Sequence, residues 1–300
     1  MSSIENNISV FGDKLTYKDG AAGKPAFDLL NWIPNPFVDL FQKEAMVDIY
    51  FDNQTDGIIT NPKTGESIGL KNRGTSGKNA RFIRGKNCTF PSVGGSLEKH
   101  KYLMIRADES PPDPKHPNTS CFQIGDVPTA THNGQNCIIF ISFKNMEKFI
   151  SPNPRILFTN DSETRSVQIA RLTDHVGEII IKCGQRKTSL QHNYTQWQQL
   201  KVQYTCQDGL VECNYTLYNH GSKNHTGTLT ASVDPKDVQN DFFIGGFGQL
   251  KRPSHLAGIY NLSKLQIYNF YNKELLPKEM TELILKRLYN RSLQSAAVLT

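Results

Sequence analysis

The sequence predicts an all-β protein: two antiparallel sheets packed as a sandwich, with one short C-terminal helix and an N-terminal arm. Three observations predict it. Short runs of alternating or wholly apolar residues recur along the chain, separated by Gly, Pro, Asn and Asp. β-branched and aromatic residues dominate these runs, as a pleated, half-buried surface prefers. Helical periodicity is rare, and about a dozen strands with turn chemistry between them fit a sandwich.

In chain order the runs are MVDIYFD (46–52), ARFIRG (80–85), KYLMIRA (101–107), CIIFISFK (137–144), RILFTN (155–160) and SVQIARL (166–172). They continue as GEIIIKC (177–183), LKVQYTC (200–206), VECNYTLY (211–218), TLTASV (228–233), DFFIGG (241–246) and LSKLQIYNF (262–270). One hairpin reads more closely. Leu200, Val202, Tyr204 and Cys206 alternate with polar residues, as do Cys213, Tyr215 and Leu217, and Asp208–Gly209 is a strong turn signal. A four-residue loop pairs Cys206 with Cys213; a two-residue loop pairs Tyr204 with Cys213. Both put the same residues on one face, because side chains alternate with period two. A Cys206–Cys213 disulfide and two buried thiols are both open.

Before the C-terminus, Pro277 suits a first helical position. Met280, Leu283, Ile284 and Leu288 then form one apolar stripe. Glu279 and Glu282 early, with Lys286 and Arg287 late, complement the helix dipole. Near the N-terminus, FDLLNWIPNPFVDLF (27–41) is broken by Pro34 and Pro36, so it is not one helix. Its aromatics Phe27, Trp32, Phe37 and Phe41 are expected to dock onto a partner or onto the domain itself. The division that follows is an arm over 1–45, a sandwich over 46–288 and a tail over 289–300.

Composition narrows the class. A chain of 300 residues with 37% hydrophobic residues and 10% aromatics can build a sizeable core. A net charge of +6 is mild and is not that of a dedicated nucleic-acid binder. No apolar run approaches the roughly 18 residues of a membrane span. The start MSSIENNISV does not read as a secretory signal. Six cysteines, at 88, 121, 137, 183, 206 and 213, are compatible with buried thiols. Asn-x-Ser/Thr sequons begin at Asn7, Asn53, Asn87, Asn118, Asn160, Asn193, Asn214, Asn224, Asn261 and Asn290. That exceeds the roughly three or four that chance gives, and makes N-glycosylation an expectation to check.

The glycines of DFFIGGFGQ (241–249) invite a phosphate-binding reading. Gly245, Gly246 and Gly248 fit neither the Gly-x-x-x-x-Gly-Lys-Ser/Thr nor the Gly-x-Gly-x-x-Gly spacing. Architectural glycines that end a strand are expected instead.

Several of these stretches together resemble the concanavalin A-like, laminin G-like jelly-roll domain over residues 46–288. The resemblance is carried by VDIYFDNQTDG, ARFIRGKNCTF and CIIFISFK, and by TQWQQLKVQYTCQDGLVECNYTLYNHG, where a tryptophan opens the hairpin. FFIGGFG followed by LAGIYNLSKLQIYNFYNKELLPKEMTELI is its most specific part. The segment 86–136, with DESPPDPKHPNTS, is longer than the family carries there. The resemblance implies a jelly-roll sandwich. It also implies candidate calcium donors at Asp161, Asp174 and Asp241, although isolated turn aspartates ordinarily form turns. No cofactor is expected.

Catalytic patterns are missing. Retaining glycosidases of this fold place two carboxylates about 5 Å apart through Glu-x-Asp-x-x-Glu, and no glutamate here has aspartate two positions on. No motif assembles the Tyr, His, Arg and Gln of a polysaccharide lyase, and no paired Cys or His spacing suits zinc. The basic stretch LKNRGTSGKNARFIRGKN (Lys71, Arg73, Lys78, Arg81, Arg84, Lys86, with Phe82) reads as a charged loop and strand edge rather than a nucleic-acid surface.

The expectation is a non-catalytic structural or binding sandwich that contacts other structural proteins of an assembly. The setting expected is the virion of a large DNA virus, as a minor capsid or surface component. A family that is usually extracellular, met without a secretion signal, leads there. The alternatives are an extracellular lectin-like, glycan-binding adhesion module, and a polysaccharide lyase or hydrolase whose site is unrecognised.

Overall fold

A computed structural model of the chain describes residues 8–11, 14–17, 45–51, 57–84, 89–94, 102–105, 121–145, 154–160, 162–173, 175–233, 241–246, 260–271 and 278–294. Among the described residues it is an all-β sandwich of two antiparallel sheets with one C-terminal helix. The first sheet contains β3 (Val47–Tyr50), β7 (Ser92–Gly94), β8 (Tyr102–Ile105), β10 (Gln135–Asn145), β15 (Gln198–Gln207), β16 (Leu210–Tyr218), β17 (His225–Ser232) and β19 (Tyr260–Tyr271). Its order is β17-β16-β15-β10-β19-β8-β7, with β3 also pairing β19.

The second sheet contains β4 (Ile58–Thr60), β5 (Ser67–Leu70), β6 (Ala80–Ile83), β9 (Cys121–Ile124), β11 (Arg155–Asn160), β12 (Arg165–Arg171), β13 (Val176–Cys183), β14 (Arg186–Asn193) and β18 (Phe242–Ile244). Its order is β14-β13-β12-β11-β18-β9-β6-β5-β4. β1 (Ile8–Phe11) and β2 (Lys14–Tyr17) pair as a hairpin and, among the described residues, join neither large sheet.

Period-two alternation builds the core. From β13, Ile179, Ile181 and Cys183 face inward; from β15, Leu200, Val202, Tyr204 and Cys206 meet them. β10 is buried on both faces. Cys137, Ile139, Ile141 and Phe143 point into the sandwich, whereas Ile138 and Phe140 lie beneath helix α1 (Lys278–Gln294). Tyr260 also spans the layers, its hydroxyl donating to Leu157 O across 2.8 Å. Trp197, at the mouth of β15, packs edge-on against Tyr102, with ring centroids 5.7 Å apart.

The helix departs from its predicted stripe. Met280, Leu285 and Leu288 are buried, Ile284 packs alongside them and Leu283 is only half-buried. The helix also runs six residues past the predicted boundary at 288, and the Tyr289 ring stacks on His220 at 4.6 Å. At the other boundary, the sequence division places Ala45 in the arm. It is buried, and its carbonyl accepts the Thr75 N–H at 2.9 Å, which places it in the sandwich.

The β15–β16 register settles the cysteine alternatives. Tyr204 lies opposite Cys213 and Cys206 opposite Val211. Asp208 and Gly209, at φ 51° and 75°, make the two-residue turn whose twist matches the strands. A Cys206–Cys213 disulfide is therefore excluded: both are free, buried thiols.

Gly245 behaves as the sequence predicts. Its φ is +79°, and a Cβ there would sit 2.9 Å from Ile105 Cγ2. It ends β18 where the backbone passes close to the facing sheet.

Candidate interaction site: a neutral sheet edge and the cleft beside it

Four strands lie at the ends of the two sheets. β7 and β4 are only three residues long, whereas β14 and β17 are eight each. A sheet edge presents unpaired backbone groups, and charged side chains are a common protection against stray pairing. β14 carries Arg186 and Lys187. β17, HTGTLTAS, contains no Lys, Arg, Asp or Glu.

β17 pairs with β16 on one side only, among the described residues. Gly227, Leu229 and Ala231 lie opposite Tyr215, Cys213 and Val211, so they share the core-facing side. Thr226, Thr228, Thr230 and Ser232 alternate onto the outer face. The Tyr215 ring occupies the space that a side chain at Gly227 would need, covering the strand where it lacks bulk. Outside, Thr228 Oγ1 donates to Asn214 Oδ1 at 2.7 Å, and Asn214 Nδ2 donates to Glu212 Oε1 at 2.6 Å.

Just beyond the strand, the Val233 N–H donates to Gly209 O at 2.9 Å. Hydrogen-bonded and non-bonded pairs alternate along an antiparallel ladder. The backbone N–H and C=O of Ser232, Thr230, Thr228 and Thr226 therefore point away from β16.

A cleft of about 580 Å³ runs along this edge. One wall is Thr230–Val233; the other is the β13–β14 turn, Gly184, Gln185 and Arg186, with Thr164 and Leu210 completing the lining. The sheets approach closely here: a Cβ on Gly184, at φ +59°, would lie 2.7 Å from Ala231 Cβ. Leu210 is 48% exposed, an apolar contact beside three hydroxyls and one guanidinium. No carboxylate, imidazole or thiol is among the residues lining the cleft; its reactive side chains are three hydroxyls and the Arg186 guanidinium. The described thiols are buried elsewhere. Burial pushes Cys121 and Cys137 up to about 12 and Cys213 well above its ordinary value, holding them protonated at neutral pH.

Among the described residues, the sequence-predicted site residues do not come together. Phe27, Trp32, Phe37 and Phe41 lie outside the described residues, as do Asn53, Asn87, Asn118, Asp161 and Asp174. Asp241 accepts a hydrogen bond from Gln123 Nε2, and no metal-binding group of three His, Cys, Asp or Glu occurs among the described residues.

Asn160 is corrected as a glycosylation site. It is fully buried, its amide donates to Ser162 and Thr164 hydroxyls, and its Oδ1 accepts the Arg165 N–H at 3.0 Å. A glycan has no room there. Asn214, Asn224 and Asn261 are half-buried within strands or a turn, and Asn193 is exposed.

Three cations of the basic stretch make intramolecular contacts. The Arg73 guanidinium lies 3.8 Å from the Tyr50 ring centroid. Lys78 pairs with Asp126, and Arg84 with Glu66. Phe82 is buried against Phe90 and Phe122, so it offers no stacking face to a base.

No protein-family model matches the chain, and no curated protein sequence matches it. Among solved structures, the receptor-binding domain of botulinum neurotoxin mosaic serotype C/D is similar at TM-score 0.43 and 11% identity, covering 81% of this chain and 50% of that one. The botulinum neurotoxin serotype D binding domain gives 0.42 and 13%, covering 81% and 51%. A carbohydrate esterase from Shiga toxin-encoding bacteriophage phi24B gives 0.43 and 11%, covering 74% and 97%. The chain thus spans about half the length of the neurotoxin domains it resembles. No helix among the described residues is long and apolar enough to cross a membrane.

Proposed function

We propose that this protein is a non-catalytic binding β-sandwich that supplies protein–protein contacts in an assembly, as a minor capsid or surface component of a virus particle. The observation that carries the reading is the β17 edge: eight residues, uncharged and accessible, with outward-pointing backbone groups beside a cleft. Edge addition draws affinity from main-chain hydrogen bonds and specificity from neighbouring pockets. Here the cleft offers hydroxyls, an exposed leucine and one cation, with no carboxylate, imidazole or thiol among its lining residues. The arm is a second connector: among the described residues its β1–β2 hairpin pairs with neither sheet of the sandwich.

Particle incorporation tests this reading. A chain lacking residues 1–44 and a full-length Thr228→Lys chain are both expected to keep the sandwich, seen by circular dichroism, and to be lost from purified particles. The lysine sits on the outer face and puts a charge on the edge that pairing would desolvate. Incorporation of both variants at the wild-type level would overturn the proposal.

A further inference from the structure

Beyond having one edge unpaired among the described residues, the β17 strand is complementary to itself. We infer that its occupant is the β17 strand of a second copy of this chain, joined antiparallel about a two-fold axis. The two eight-stranded sheets then continue as one. The inference rests on the edge-binding reading and names the partner.

The register follows from the outward-pointing groups. If Thr226 pairs with Ser232 of the second copy, then Thr228 pairs with its Thr230, and the two-fold axis reproduces both pairs. All four residues whose N–H and C=O point outward are then hydrogen-bonded at once. Between them, on the core-facing side, Leu229 meets its own counterpart and Gly227 meets Ala231, so large faces large and small faces small. The outer face carries only Thr–Thr and Thr–Ser pairs, which are favourable cross-strand neighbours.

Charge selects this edge over the other long one. The chain has a formal net charge of +6, so two copies repel in general. Pairing β14 with itself would bring Arg186 and Lys187 of both copies into the paired strands, whereas β17 itself contains no Lys, Arg, Asp or Glu and has Arg186 only across the cleft from its end. Every residue of β17 is exposed or half-exposed, so the edge is reachable.

The test is the mass of the purified full-length chain by light scattering or sedimentation, for wild type, Thr228→Pro and Thr228→Val. Proline is tolerated on an edge strand where its missing N–H would have faced outward, so Thr228→Pro is expected to fold and run as a monomer. Thr228→Val removes the hydroxyl but keeps the outward N–H, and is expected to remain dimeric with the wild type. A monomeric wild type, or a Thr228→Pro chain that stays dimeric, would overturn the inference. Particle incorporation separates the two levels. If wild type is monomeric in solution yet Thr228→Pro is lost from particles, self-pairing fails and the edge reading stands. If incorporation is also unchanged, both fail.

Discussion

Replacing Asn72 by alanine is expected to destabilise the fold by about 4 kcal/mol, the largest single-residue effect we anticipate. Asn72 is 8% exposed, and its side chain ties one loop to the strand beside it. Its Oδ1 accepts the Asp48 and Gly74 N–H groups, each at 2.8 Å. Its Nδ2 donates to Ser76 Oγ at 2.8 Å, Lys78 O at 3.0 Å and Met46 O at 3.3 Å. Around this hub, Arg73, Thr75 and Ser76 donate to the carbonyls of Asp48, Ala45 and Met46, laying the loop along the entry to β3. The approach is so close that a side chain at Gly74 would overlap the Ala45 and Met46 carbonyl oxygens. Alanine at 72 leaves buried partners on both sides unmatched, and each such group costs about 1–3 kcal/mol before relaxation. Urea denaturation checks the value. Asn72→Asp should recover part of it, because aspartate restores the acceptor for Asp48 and Gly74 but not the donors.

Acidification is expected to remove about 3 kcal/mol through His192 alone. Its ring is buried between Gly177, where a Cβ would collide with it, and Phe143 at 6.4 Å between ring centroids. Burial lowers its pKa from 6.5 to about 4. The unfolded chain therefore binds a proton near pH 6.5 that the folded chain refuses until about pH 4. Stability from this group is fully present above pH 6.5 and is lost as pH falls through that window. Denaturation between pH 7 and pH 4 should show a steeper loss for wild type than for His192→Gln. Parallel pH profiles for the two would refute the assignment.

The strands legible in the sequence are those with runs long enough to show an apolar or alternating pattern. RILFTN coincides with β11, and GEIIIKC and VECNYTLY each fall one residue short of β13 and β16. β14 escaped because it lies at an edge: RKTSLQHN buries only His192, so no apolar alternation marks it. β9 escaped because four residues after a proline-rich segment are too few to show a period.

The 204/213 face was readable, but its register was not. Side-chain alternation is the same for either loop length, and only the left-handed backbone at Asp208 and Gly209 decides between them. TLTASV was legible as a strand, whereas its place at a sheet edge was not. Strand order is fixed by contacts between distant parts of the chain, as is the meeting of the 184–186 turn with residues 230–233 across the cleft. The helix stripe shifted for a similar reason: Leu285 rather than Leu283 faces Ile138 and Phe140, a choice set by the sheet beneath.

The most direct measurement of the central claim is amide hydrogen exchange on β17, compared between the chain diluted to the monomer and the chain within its assembly. The account requires the Thr226, Thr228, Thr230 and Ser232 amides to exchange rapidly when free and to become protected on assembly, while Gly227, Leu229 and Ala231, already bonded to β16, change little. Protection of all seven amides in the free chain, or no gain at the four outward amides on assembly, would contradict it.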